Sequence, residues 1–156
     1  MQTVVCAEGP MIRVTTRSRY ALHALLKLVD AYGAGPIFLG DLSRAAGTSQ
    51  KYMERIFARL REAGIVRSVR GRSGGYELAK PPEEILLVDV WHALEGPVLP
   101  LECLADPRSC PKSSRCVPQS FWAKVAEAVR DVLERTSLAE LARQQAYADT
   151  AEDAKG

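Results

Sequence analysis

Nowhere in this 156-residue chain do about 18 uncharged apolar residues follow one another, the length a membrane-crossing helix needs. The first ten residues, MQTVVCAEGP, lack the basic region and apolar run of a secretory leader. The expectation is a soluble, cytoplasmic protein with no membrane partner. Cysteine is scarce, with four residues in all, and in a reducing compartment that number does not suggest a disulfide framework. Clustered thiols there point instead to metal binding or redox chemistry. What the chain does have is 47% hydrophobic residues, enough for one packed core, so one domain with at most a short extension is expected. Met11 opens the first patterned segment, so residues 1–10 read as a disordered extension and Cys6 as an incidental thiol.

The net charge of +2 conceals an asymmetry. Residues 11–80 carry thirteen Lys and Arg against five Asp and Glu, a net +8, whereas 81–156 carry eight against thirteen, a net −5. A basic half on an otherwise acidic chain suits a polyanionic partner, with nucleic acid ahead of a membrane surface. Charge alone does not choose between them.

Pattern does. Tyr20, Ala21, Ala24, Leu25, Leu28 and Tyr32 recur at helical spacing, and GAGP at 33–36 ends that helix. A short helix around Asp41 to Ala46 then meets Gly47, Thr48 and Ser49, a helix-turn-helix joint: glycine tolerates the left-handed turn and Ser49 can cap the next helix. In that next helix Tyr52, Met53, Ile56, Phe57 and Leu60 form an apolar face, and Gln50, Lys51, Glu54, Arg55, Arg59 and Arg61 remain outside. Standing alone, such a polar face is a solvated helix surface. It does not stand alone. Two β-rich runs follow, Ile65 to Val69 and Tyr76 to Leu78, joined by a turn holding Gly71, Gly74, Gly75, Arg70, Arg72 and Ser73. That hairpin is a wing. The combination places one helix in the major groove of double-stranded DNA and sets backbone and guanidinium donors against phosphates or the minor groove. The expected DNA contacts are Ser49, Gln50, Lys51, Glu54, Arg59, Arg70, Arg72, Ser73 and Gly74.

An enzyme alternative is present in form: GRSGG matches G-x-S-x-G, with Asp89 and His92 following in serine-hydrolase order. The nucleophile elbow needs a strand-to-helix turn in a large sheet, whereas this serine lies between two short strands. No catalytic residues are therefore assigned, and His92 reads as a helix-surface residue.

Beyond Pro82, EEILLVDVWHALEGP reads as an extended entry and a helix ending at Gly96 and Pro97, with Trp91 in the core. Trp122, Val125, Ala126, Val129, Val132 and Leu133 then mark a long, one-sidedly apolar helix, which packs on its own head, on a second chain, or on both. Ser137 to Glu140 forms an S-x-x-E capping box that opens a short last helix, and a polar, disordered tail is expected from 148 to 156. Between the two larger helices lies CLADPRSCPKSSRC, a loop of prolines, serines and charges that holds Cys103, Cys110 and Cys116.

The runs RSRYALHALLKLV, SQKYMERIFARLREAGIVRSVRGRSGGYELAKPPEEI and VDVWHALEGP, with three cysteines before SFW, resemble the cysteine-containing branch of the Rrf-two family of bacterial winged-helix regulators (IscR-, NsrR- and CymR-like) over residues 11–142. The resemblance implies a mainly α fold with a small β-hairpin wing: a winged helix-turn-helix DNA-binding head at 11–82 and a connecting helix at 83–100. The cysteine loop follows at 101–119, then the dimerisation helix and final short helix at 120–147. It further implies a homodimeric transcription regulator, of repressor type, on a palindromic operator, sensing iron–sulfur, redox or nitric oxide status through an iron–sulfur cluster on Cys103, Cys110 and Cys116. Two-iron and four-iron clusters both take four ligands, so three thiols leave one position open. Relatives fill it with a histidine three residues after the last cysteine, or with an acidic or histidine residue in the partner's first helix. Here Gln119 and Arg19 stand at two of those positions, and His23, one turn past Arg19, matches a histidine ligand of some relatives; Glu102 and Gln119 are the alternatives. Zinc or a thiol switch remains the competing use of the cysteines, although their gaps differ from the closely paired C-x(2–4)-C of most zinc folds.

Overall fold

In the computed structural model, residues 14–98, 106–112 and 115–154 are described. Cys6, Cys103, Glu102 and the expected extension at 1–10 lie outside them.

Among the described residues, six α-helices and one hairpin make the fold. Helix α1, Thr16–Asp30, buries Ser18, Ala21, Ala24, Leu25 and Leu28, a stripe at helical spacing whose small residues let neighbours approach closely. Helix α2, Leu39–Ala46, ends at Gly47, whose φ of 74° is the left-handed turn foreseen there. Ser49 then caps α3, Gln50–Glu62, by accepting the Tyr52 backbone N–H at 3.2 Å. Met53, Ile56, Phe57 and Leu60 of α3 are wholly buried between α1, α2 and the hairpin. Strand β1, Val66–Val69, pairs antiparallel with β2, Gly75–Leu78, in the register Val66 to Leu78 and Val69 to Gly75. After a 3-10 turn at Pro82–Glu84 comes α4, Leu87–Glu95, which packs on α1 and α3.

Helix α5, Val117–Arg135, buries no residue and touches α4. The chain then returns to the head. Leu87 N–H donates to Thr136 O and Leu138 N–H to Ile85 O, both at 2.9 Å, and Leu138 at the start of α6, Leu138–Asp153, is fully buried. Ser137 accepts the Glu140 N–H at 3.2 Å, the first half of a capping box. Glu140 turns instead to Arg143 and Gln144, so the reciprocal half is not made.

Two expectations need correcting. Residues 148–153 continue α6 rather than forming a disordered tail: alanines at 142, 146, 148 and 151 favour helix without burial, and Gln145 bonds Asp149 one turn on. Trp91 is half-buried rather than in the core; Val88, Val90 and Leu94 are the buried residues of α4. Its indole Nε1 is nevertheless shut from solvent without a partner among the described residues.

Long-range polar contacts centre on the end of α4. The N-cap of α1, Thr15, makes no side-chain capping bond within its own helix, and the first turn of α1 has no acidic residue. Glu95 supplies that acid from 80 positions away, accepting from the hydroxyls of Thr15 and the buried Ser18. In return Arg17 Nη1 donates to Leu94 O at 2.6 Å, placing a cation at the carbonyl end of α4. Burial alone would raise the Glu95 pKa. The Ser18 and Thr15 bonds and the Arg17 charge outweigh burial and hold the carboxyl below its ordinary 4.5. A folded value below the unfolded one means that stability from this group is present above pH 4.5 and is lost as pH falls through the folded value. Glu95→Gln should therefore cost about 1 kcal/mol at neutral pH and less near pH 3, so that urea midpoints of the two proteins converge on acidification. A constant gap from pH 7 to pH 3 would contradict the assignment.

Candidate nucleic-acid interface and cysteine loop

The expected DNA contacts fall on two surfaces. On α3, Ser49, Gln50, Lys51 and Glu54 are all exposed in the first turns, with Arg55 beside them. Lys51 and Glu54 have no ion-pair partner among the described residues, although Ser49 is occupied by its cap. On the hairpin, Arg70, Arg72 and Ser73 are exposed, and both arginines lack ion pairs among the described residues. Arg67, on β1, is committed across the hairpin to Glu77 at 2.6 Å. Free cations at the turn and a bound one on the strand are what a phosphate-facing wing requires.

Two of the expected contacts have other duties. Arg59 donates through Nη1 to Leu94 O at 3.3 Å, so its guanidinium turns toward α4. Gly74 is buried: a Cβ there would lie 2.4 Å from Val69 O, and its N–H donates to Gly71 O at 3.1 Å.

The double glycine is therefore a packing requirement. Ile37, in the short link between α1 and α2, exchanges two 2.9 Å backbone hydrogen bonds with Tyr76 on the open edge of β2. A Cβ on Gly75 would stand 2.2 Å from Ile37 O. Ile37 thus acts as a third strand one residue long, which pins the wing to the head, and Phe57 of α3 meets Tyr76 edge-on at 4.9 Å. A single paired residue is too short for the periodicity that marks strands, and only the isolated Ile between Pro36 and Phe38 hinted at it.

The hydrolase constellation does not assemble. Asp89 and His92 border a cavity of about 400 Å³ with Glu84 and Lys80, and Ser73 on the wing is not among its lining residues.

Cys110 follows a 3-10 turn at Pro107–Ser109, which Asp106 braces by accepting from both the Arg108 backbone and its guanidinium, holding the Asp106 carboxyl below the usual range. Cys116 is the N-cap residue of α5. Both thiols are free and half-buried. Cys116 borders an open cavity of about 680 Å³ lined by Pro111, Lys112, Arg115, Val117 and Pro118. Two cations and the N-terminal end of a 19-residue helix make this a place for negative charge. Thiolates on iron and sulfide carry such charge, so the surroundings of Cys116 suit a thiolate-held anionic group of that kind. Among the described residues no group of three or more His, Cys, Asp and Glu gathers to hold a metal. His23 is exposed on α1, and Gln119 is half-buried in the first turn of α5.

The model of the Rrf2 family, described as iron-dependent transcriptional regulators, matches residues 14–144. The chain is 33% identical over 143 residues to the HTH-type transcriptional regulator CymR of Bacillus subtilis, covering 92% of this chain and 96% of that protein. The solved structure of CymR, described as the global cysteine regulator of that organism, superposes with a TM-score of 0.71 over 86% of this chain and 98% of its own. The regulator IscR of Photorhabdus laumondii is 35% identical over 140 residues, covering 90% of this chain and 85% of that one. T. potens IscR, at 33% identity, superposes with a TM-score of 0.70 over 85% of this chain and 88% of its own. These relatives are transcriptional regulators rather than enzymes.

Gly75→Ala should cost about 2 kcal/mol or more and loosen the wing, because the intruding atom is met by backbone that cannot step aside. Gly33→Ala, at φ 84° with nothing within 4 Å, should cost only about 1 kcal/mol. Thermal unfolding of both checks the difference; equal losses would contradict it.

Proposed function

Because the chain belongs to the Rrf2 family of iron-dependent transcriptional regulators, we propose that it is a homodimeric repressor that reads a palindromic DNA operator and senses iron–sulfur, redox or nitric oxide status at its cysteine loop. The observation that carries this reading is one chain holding both a winged reading head whose Lys51, Arg70 and Arg72 have no ion pair among the described residues and two free thiols, of which Cys116 borders a cationic cavity. Cys103, Cys110 and Cys116 would hold the cluster, with His23 of a partner chain as fourth ligand. When bound, the cluster supplies a redox- and nitric-oxide-reactive centre. The dimer rests on α5, whose Val117, Phe121, Trp122 and Val132 are each 45–76% exposed, an apolar face that a second copy of the helix would cover. Head spacing across that seam then follows the two-fold symmetry of the operator.

The residues divide the labour. Lys51 and Glu54 face base edges near the start of α3; Arg70, Arg72 and Ser73 meet phosphates. A carboxylate facing phosphates is repulsive, so Glu54 works as a selector, accepting from a cytosine amino group.

Protein purified without air should absorb in the visible, and Cys110→Ala or Cys116→Ala should lose both colour and iron while Cys6→Ala keeps them. Full iron retention in Cys110→Ala would overturn the cluster assignment; a colourless wild type with zinc, or with a reversible disulfide, would transfer the loop to the competing chemistry. For the DNA side, Arg72→Ala, lost from both protomers of the dimer, should weaken all sequences alike and lower the salt slope of binding by about 1.8, whereas Glu54→Ala should relax preference at one base pair of each half-site by roughly 1–3 kcal/mol. Sequence-blind losses from both variants would contradict the division.

A further inference from the structure

Two guanidinium groups converge on one backbone oxygen. Arg17, in the first turn of α1, and Arg59, in the last turn of α3, both donate to Leu94 O, at 2.6 and 3.3 Å. The next residue, Glu95, takes the hydroxyls of Thr15 and Ser18, and the residue after that, Gly96, leaves the helix at φ 80° toward the cysteine loop. Three helices are thus tied at the last turn before the loop begins.

An arginine on a recognition helix is first taken for a phosphate contact. At 3.6 residues per turn, however, Arg59 stands about 140° around α3 from Glu54 and, at 1.5 Å per residue, about 12 Å along the axis from Lys51. Its bond to Leu94 O commits one guanidinium nitrogen to α4, although the residue as a whole is exposed. The two bonds at Leu94 O are also unequal. Arg17 makes a short contact that holds the end of α4 to α1, and Arg59 makes a longer one, so the Arg59 bond is the weaker of the two.

We propose that Arg59 is a positioning residue for DNA reading: through Leu94 O it sets the attitude of α3 against the end of α4, and so passes the state of the cysteine loop to the recognition helix. This rests on the chain being an operator-binding regulator whose loop senses. From the end of α4 to α3 the route is one physical contact long. A displacement of Glu95 and Gly96 moves the acceptor of Arg59 directly, with no intervening side chain, and the two-state element it biases is the attitude of α3.

The test uses the full-length protein and its operator, with Arg59→Gln beside Arg72→Gln. In iron-free protein, Arg59→Gln should lower operator affinity roughly 5-fold at every salt concentration and leave the salt slope unchanged, while Arg72→Gln, lost from both protomers, lowers the slope by about 1.8. A slope lowered by the same amount in Arg59→Gln would make it a phosphate ligand and overturn the proposal. Where iron-loaded and iron-free wild type differ in affinity, Arg59→Gln should bring their ratio at least about 3-fold nearer to one, and Arg72→Gln should leave it alone. An undiminished ratio in Arg59→Gln overturns the relay. Equal affinities in the two wild-type forms would sink the sensing reading and the relay with it, and the slope would still decide whether Arg59 positions α3. Should Arg59→Gln fail to fold by thermal unfolding, Arg17→Gln removes the other donor to the same oxygen and is expected to reproduce the affinity loss without a slope change; unaltered affinity there overturns the joint.

Discussion

The exchange of caps between α1 and α4 is the constraint on which the rest of the head depends. Each helix lacks what its own terminus needs: α1 has no acid at its start, and α4 carries only His92 in its last turn. Glu95 and Arg17 make good both deficits at once across 77 to 80 positions of sequence, and the pair fixes how the first and fourth helices meet. Because α3 lies against both and Arg59 shares the Leu94 oxygen, the reading surface inherits its placement from that corner. Core packing holds the helices together, but apolar contact is non-directional, and the charged corner supplies the direction.

The wing depends on a different kind of constraint, one of space. Gly74 and Gly75 admit backbone oxygens to within distances that no side chain could share, and in doing so let Ile37 close the hairpin's second edge. The two arginines at the turn are consequently carried on a hairpin bonded on one side to α3's continuation and on the other to the link before α2. Their reach toward a ligand is set by the fold more than by the freedom of a loop.

Local signals made much of this legible. Gly47 and Ser49 announced the joint between α2 and α3 through backbone chemistry that acts within three residues, and the apolar spacing of Met53, Ile56, Phe57 and Leu60 matched the face that is buried. What escaped was non-local. Glu95 looked like the end of a helix, and its partners stand 77 and 80 residues earlier. Arg59 looked like its neighbours on the polar face, because sequence gives a residue's angle around a helix but not what occupies that direction. Trp91 was drawn into the core by its size, and residues 148–153 were left out of α6 because they bury nothing, although alanine and local hydrogen bonds suffice for helix. The cysteine loop stood out in the sequence as three thiols in a segment of prolines, serines and charges, and its first thiol lies outside the described residues.

The return of the chain at Ile85 to Leu138 has a consequence for how this architecture is built. Residues 96–135 leave the head at one end of α4 and rejoin it at the other, where Leu87 and Leu138 donate their backbone N–H groups to Thr136 and Ile85. The two attachment points are separated by little more than the length of a nine-residue helix, about 13 Å. Everything between them is an insertion with fixed ends, and lengthening such a segment costs entropy only logarithmically. The segment is therefore an interchangeable cartridge: an insertion of another length fits the same two sockets.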